Sequence, residues 1–317
     1  VTTIKKHALD SPGSGEIAAR AIKAYMRQHD PYGSYLTRDE YHQWKRARDF
    51  RFHGVGMEIS ERQGRFYCLP APDSPASEAG LEKGDELVRI DGRPVAGQSL
   101  YWAGAHIRGE KNSAVTLTVS RNRVLLEFTL LRKPRTDRSV WLDRAGRLRI
   151  LRITHFSPHT LSEIKAALNG LDPSANLVLD LRGNAGGDLF SAVDTAGLFL
   201  PENSLILYIE SSRGRIEYRA RGRIWNGAKP AIWQDGFTAS AAEVLIAGLT
   251  GNQRAISFGS PTHGKAMTQK VVALSDGSAL VISRGRLSGP RGRSWQGTGL
   301  APMVRVGQTA ASWADIT

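Results

Sequence analysis

From Leu148 onward, short apolar runs alternate with helical patterns, and this alternation restricts the chain more than any other feature. "LRILRI" (148–153) precedes the helical "HTLSEIKAALNGL" (159–171), and "NLVLDLRG" (176–183) precedes the helical "LFSAVDTAGLFL" (189–200). "AIWQ" (231–234), a helix after Ser240, "AISF" (255–258) and a hairpin "KVVALSDGSALVIS" (270–283) complete the series. Strands interleaved with helices at this spacing specify an α/β layer.

The upstream half reads differently. Residues 52–133 carry short strands. A hairpin in "GVGMEISERQGRFYCLPA" turns near Gln63 and Gly64, and "DELVRIDGRPV" runs into an Asp91-Gly92 turn. "DSPASEAGL" is a small-residue helix closed by Gly80, and "SLYWAGAHIRG" is a second helix. "AVTLTVSR" and "VLLEFTLLRK" are strands joined at Arg121-Asn122, and the basic segment 133–138 is a linker. Residues 1–51 are expected to be a helical N-terminal segment, with Ile17, Ala21, Tyr25 and Met26 on one face and Thr37 and Glu40 capping a second helix. The organisation expected is therefore 1–51, 52–133 and 134–317.

Composition removes several classes of function. Cys68 is the single cysteine, so an intramolecular disulfide and a Cys-based zinc cage are both excluded. The eight His residues lack ligand spacing such as H-E-x-x-H, so no metal site is expected. No run approaches the roughly 18 apolar residues of a membrane span. The absence of an initiator Met suggests a mature or trimmed chain. A net charge of +13 gathers in segments 132–138 and 284–293. No nucleic-acid motif or interleaved aromatic residue accompanies it, so the expectation is a solvated basic surface and no specific nucleic acid.

Three segments carry chemistry. "GSPTHGKA" (259–266) approaches a phosphate-binding loop, but Ala266 stands where a Mg²⁺-binding hydroxyl is required and a hairpin follows instead of a helix. Lys265 and Gln269 are four residues apart and project to one side in either a helix or a strand. Such a Lys is a general base only if burial lowers its pKa by about 3 units; otherwise it is a solvent-facing loop residue. "DGFTASAAEVLIAGL" (235–249) places Ser240 and Glu243 as a capping box before an apolar run, so Ser240 is either a cap or a nucleophile. The glycines of "LRGNAGGD" (181–188) form either a plain strand-to-helix turn or a nest of backbone N–H groups for an oxyanion.

Taken in order, these segments resemble the C-terminal processing peptidases (tail-specific proteases), which are Ser–Lys endopeptidases with a PDZ domain. "FTASAAE" (237–243) resembles the family's G-S-A-S-A-S-E, and "GSPTHGKAMTQ" (259–269) its G-E-P-T-F-G-K-G-x-x-Q. "LDLRGNAGG" resembles L-D-L-R-x-N-P-G-G, "GRSWQGTGLAP" resembles G-R-S-I-Q-G-x-G-I-x-P, and "DPYGSYLTRDEY" resembles D-P-H-S-S-Y-L-T-P-E-E-Y. "SPASEAGLEKGDELVRIDGRPV" is typical of PDZ domains, and the resemblance runs from about residue 15 to 306. Phe237, Thr238, Ala242, His263 and Ala185 depart from these patterns without removing a group the chemistry requires.

The resemblance implies an α/β core built as a spiral of ββα units (crotonase/ClpP-like), with an inserted PDZ domain at 52–133. It implies Ser240 as nucleophile, Lys265 as base, Gln269 as the amide that orients it, and an oxyanion hole from the N–H of Ala241 with Gly186 or Gly187. Gly54, Val55, Gly56 and Met57 would receive the C-terminus of a protein or peptide substrate. No cofactor is implied, and an exported, periplasmic location is. A homo-oligomer or an adaptor is compatible with this sequence. The competing expectation is a catalytically silent binding protein that keeps the fold and the PDZ groove.

Overall fold

The alternating half builds a six-stranded sheet in the order Val140–Ala145, Leu148–Ile153, Asn176–Asp180, Ala231–Gln234, Ile256–Gly259, Val304–Arg305. The first pair is antiparallel and every later pair is parallel, the arrangement that helical crossovers produce. The computed structural model describes residues 2–7, 9–10, 13–48, 53–134, 138–222 and 225–306. The boundary expected at 51/52 and the middle of the expected linker, 135–137, lie outside the described residues.

Helix Ala241–Gly251 is the centre of the core, with every residue from Ala241 to Leu249 buried. A helix apolar all round must be enclosed. It packs on helix Leu189–Gly197 and on strand Leu205–Ser211. Its Gly248 permits the approach: a Cβ there would stand 3.0 Å from Ile206 and 3.6 Å from Ala196.

A second sheet crosses the N-terminal part of the chain into the core. Strand Ser34–Leu36 pairs antiparallel with Ala279–Ser288, which also pairs with Met267–Ala273 and with Leu205–Ser211. Hairpin partner Gly214–Arg219 lies beyond Leu205–Ser211. This hairpin has no counterpart in the sequence reading. Its outer strand, "GRIEYR", alternates Ile216 and Tyr218 with charged residues but is almost wholly exposed. Strand Val140–Ala145 is likewise an addition, whereas helix Thr2–His7 falls within the segment expected to be helical.

Residues 57–131 form a separate antiparallel sheet, with strands in the order Met57–Arg62, Arg65–Pro70, Glu86–Ile90, Ala114–Arg121, Val124–Leu131. It has its own core, which includes Phe66, Leu87, Ile90, Ala103 and Leu117. The chain enters and leaves this module on one antiparallel ribbon, His53–Gly54 against Lys133–Pro134.

Two local expectations shift. The hairpin turn expected at Arg121-Asn122 sits one residue later, on Asn122 and Arg123, both with positive φ (51° and 67°). A two-residue hairpin loop needs that conformation at both central positions, and the strand continues through Arg121 because its guanidinium is held by Asp85 and Glu82. In helix Ser14–His29 the expected apolar face is only partly used: Met26 is buried, but Tyr25 is 62% exposed and rests against His29. At Thr37 the capping box forms in both directions, with Glu40 N–H donating to Thr37 Oγ1 and Thr37 N–H to the Glu40 carboxylate.

Candidate active site

Ser240 is the residue on which helix Ala241–Gly251 begins, and its backbone is strained. With φ 55° and ψ −117° it occupies a region that non-glycine residues avoid, at a cost of about 1–3 kcal/mol. The turn stays because both flanks are tied. On one side the Ser240 N–H donates to Glu243 Oε2 at 2.8 Å. On the other, Ala239 N–H donates to the Asn184 carbonyl at 2.9 Å, and Thr238 Oγ1 donates to the Leu181 carbonyl at 2.9 Å.

Glu243 reaches beyond its own helix. Its Oε1 accepts from Thr262 Oγ1 at 2.5 Å and from Gly264 N–H at 2.8 Å, and its Oε2 also accepts from Lys265 N–H at 2.9 Å. One fully buried carboxylate thereby joins the backbone of Ser240 to the backbone of Lys265. Burial pushes its pKa up, against the pull of these four donors. The sequence marked Glu243 only as a cap; its second connection depends on a loop nineteen or more residues away.

Lys265 Nζ donates to Gln269 Oε1 at 3.0 Å, and Gln269 Nε2 donates to the Tyr32 carbonyl. The amide thus contacts the amine, while a segment of the N-terminal region contacts the amide. Burial lowers the Lys265 pKa below the ordinary lysine value, and the charges of Glu61, Glu243 and Asp30 offset part of that fall. Among the described residues no hydrogen bond joins Lys265 Nζ to Ser240 Oγ. His263, one turn of chain before the base, is driven down to about 4 by burial and by the neighbouring Arg62 and Lys265 charges, so it is neutral near pH 7.

The glycine turn lies directly against Ser240. A Cβ on Gly186 (φ 106°) would stand 2.8 Å from Ser240 Cβ and 2.9 Å from the Ala239 carbonyl oxygen, so only glycine fits. Gly186 is buried and its N–H donates to Asn184 Oδ1 at 2.8 Å. Gly187 is exposed toward the cleft, and the flanking backbone is pinned by Phe156, which donates to the Gly186 carbonyl and accepts from Asp188 N–H. Asn184, unassigned in the sequence, holds this turn to the core by a further bond from Nδ2 to the Ile153 carbonyl at 2.9 Å.

The PDZ-like module leans on the same loop. Asp235 Oδ1 accepts from the N–H groups of Gly183, Phe237 and Thr238, and its Oδ2 accepts from Lys83 Nζ of the module at 2.6 Å. Burial would raise the Asp235 pKa, but Lys83 and the backbone donors hold it below the usual carboxylate range. Phe237 is contacted by Tyr67, with ring centroids 5.7 Å apart, and by the Arg62 guanidinium at 5.6 Å.

A cleft of about 1440 Å³ runs between module and core. It brings together Ser240, Lys265, Gln269, Gly186 and Gly187 with Gly54, Val55, Gly56 and Met57. Ala241 lies beneath it, almost fully buried. No group of three or more His, Cys, Asp or Glu side chains suited to a metal ion occurs among the described residues. No helix among them is long and apolar enough to cross a membrane.

The α/β core, with its glycine turn and helix-borne serine, and the antiparallel module each match a known family. Residues 147–306 match peptidase family S41 and residues 66–121 match a PDZ domain, and the chain belongs to that peptidase family. It is 31% identical over 300 residues to the carboxyl-terminal-processing protease of Synechocystis sp., covering 91% of this chain and 70% of that protein. It is 27% identical over 311 residues to the probable CtpA-like serine protease of Staphylococcus epidermidis, covering 96% of this chain; it spans 63% of that relative's length. The solved photosystem II D1 C-terminal processing protease is similar with a TM-score of 0.81 and 26% identity, over 96% of this chain and 85% of that one.

Proposed function

We propose that the chain is a serine endopeptidase of the C-terminal processing type that uses Ser240, Lys265 and Gln269. The observation that carries this reading is the buried Glu243 carboxylate, which fastens the nucleophile and base backbones to each other beside the cleft. In the reaction the neutral Lys265 amine accepts the Ser240 hydroxyl proton, and Ser240 Oγ bonds to the substrate carbonyl carbon. The lysine rotates toward Ser240 for this step and keeps its contact with Gln269. The carbonyl oxygen, now negative, is held by the N–H of Ala241 and that of Gly187, since Gly186 N–H is already engaged by Asn184. Lys265 returns the proton to the leaving amine, and water then releases the acyl group from Ser240.

The PDZ module delivers substrate. The terminal carboxylate is received by the N–H groups of the Gly54–Met57 loop, and the peptide is added as a strand beside Met57–Arg62. Both sites line one cleft, so a chain held by its C-terminus passes over Ser240. The ββα spiral of the core and export to the periplasm belong to this reading as well. The test is cleavage of an unstructured protein, with free or amidated C-terminus, by the wild type, Ser240→Ala and Lys265→Ala. Loss of cleavage by about a thousandfold or more in both variants supports the reading. Equal cleavage by all three preparations ends it, and cleavage by none leaves the silent binding protein in its place.

A further inference from the structure

We propose that Tyr32, on the N-terminal segment, is a positioning residue for the base: its ring covers the Lys265 amine while its carbonyl and hydroxyl fix the loop that bears it. This rests on the reading of Lys265 as the base.

Four observations converge on that residue. Lys265 Nζ stands 5.2 Å from the centroid of the Tyr32 ring, within range for a cation–π contact. The Tyr32 carbonyl accepts from Gln269 Nε2, the amide whose oxygen holds Nζ. The Tyr32 hydroxyl accepts from Gln296 Nε2 at 3.0 Å and donates to the Gly264 carbonyl at 3.5 Å. Gln296 Oε1 in turn accepts from Ala266 N–H at 2.8 Å, so the residues on both sides of Lys265 are tied to Tyr32 or its partner. The segment itself is anchored. Asp30 accepts from the N–H and the hydroxyl of Ser283, and strand Ser34–Leu36 joins the sheet immediately after it.

The base loop is therefore gripped from two sides, by Glu243 from within the core and by Tyr32 from a part of the chain more than two hundred residues away. The ring also acts in the same sense as the Glu243 charge. An aromatic face favours the ammonium over the neutral amine, so Tyr32 opposes the lowering of the Lys265 pKa that burial causes. The other charged or titratable groups facing the amine are Glu61 of the module, Glu243 of the helix, Asp30 of the N-terminal segment and His263 of the base loop.

The experiment replaces Tyr32 by Phe and by progressively fluorinated phenylalanines, which withdraw electron density from the ring face at nearly constant shape. The rising limb of kcat/KM against pH is read for each. The midpoint is expected to fall stepwise, by about half to one pH unit across the series, while Tyr32→Phe itself stays near the wild-type midpoint with a few-fold lower kcat. A midpoint constant across the series overturns the proposal, because a merely structural ring would not respond to its electron density. Ser240→Ala and Lys265→Ala are run alongside. Their inactivity with an unmoved midpoint sinks the Tyr32 inference alone, and their retained activity sinks it together with the reading of the base.

Discussion

Asp235 and Glu243 stand on either side of Ser240, and each accepts at least four hydrogen bonds, but their connections differ. All four donors to Glu243 belong to the core, and the carboxylate is fully buried. Asp235 takes three N–H donors and the Thr238 hydroxyl from the core and its last donor, Lys83, from the PDZ module. Lys83 is 41% exposed, so that last bond is a partly solvated ion pair. The Ser240 loop is thus bolted to the Lys265 loop on one side and only leaned upon by the module on the other. Coupling within the site is strong, whereas coupling between the site and the module passes through contacts that water and salt weaken.

The sharpest way to break this contrast is at Glu243. Glu243→Ala strands four donors in a dry interior, so the loss is about 3 kcal/mol or more in a denaturant titration, accompanied by at least a hundredfold fall in kcat as the two loops lose their common anchor. If Glu243→Ala left kcat within threefold, the carboxylate would be a cap and nothing more. Asp235→Asn is expected to be milder, about 1–2 kcal/mol, because an amide oxygen still accepts from the core N–H groups.

The acid limb of stability sharpens the comparison further. The folded Asp235 pKa lies below its unfolded value of about 3.9. Its contribution is therefore complete above that pH and is lost as pH falls through the lower folded value. Asp235→Asn should flatten wild-type stability loss below about pH 4, read by thermal unfolding at stepped pH. Activity follows the opposite group: with the Lys265 pKa depressed by burial, kcat/KM should rise with pH through a midpoint below the ordinary lysine value. The smallest effect belongs to Lys83→Ala, expected to cost under about 1 kcal/mol in the same titration. A cost as large as that at Glu243 would erase the distinction between the two sides.

The strand–helix alternation was enough to expect the core because buried parallel strands and their crossover helices must be apolar at those periods. Ser240, Lys265, Gln269 and the glycine turn were legible as local strings, and the cleft gathers them. What the strings could not carry was partnership across the chain. Glu243 read as a cap because only its bond to Ser240 is local; its bonds to Thr262, Gly264 and Lys265 exist only once the helix is buried beside that loop. Tyr32 carries no local signal of a role, since a ring over an amine more than two hundred residues later leaves no periodic trace. Phe237 read as a departure from the family pattern; in the structure it supplies the surface on which Arg62 and Tyr67 rest.

The ribbon formed by His53–Gly54 and Lys133–Pro134 places both ends of the PDZ module side by side. A cassette that comes and goes through one doorway can be exchanged for another without rerouting the α/β core. The module is free to drift in sequence while the rest of the chain stays as it is.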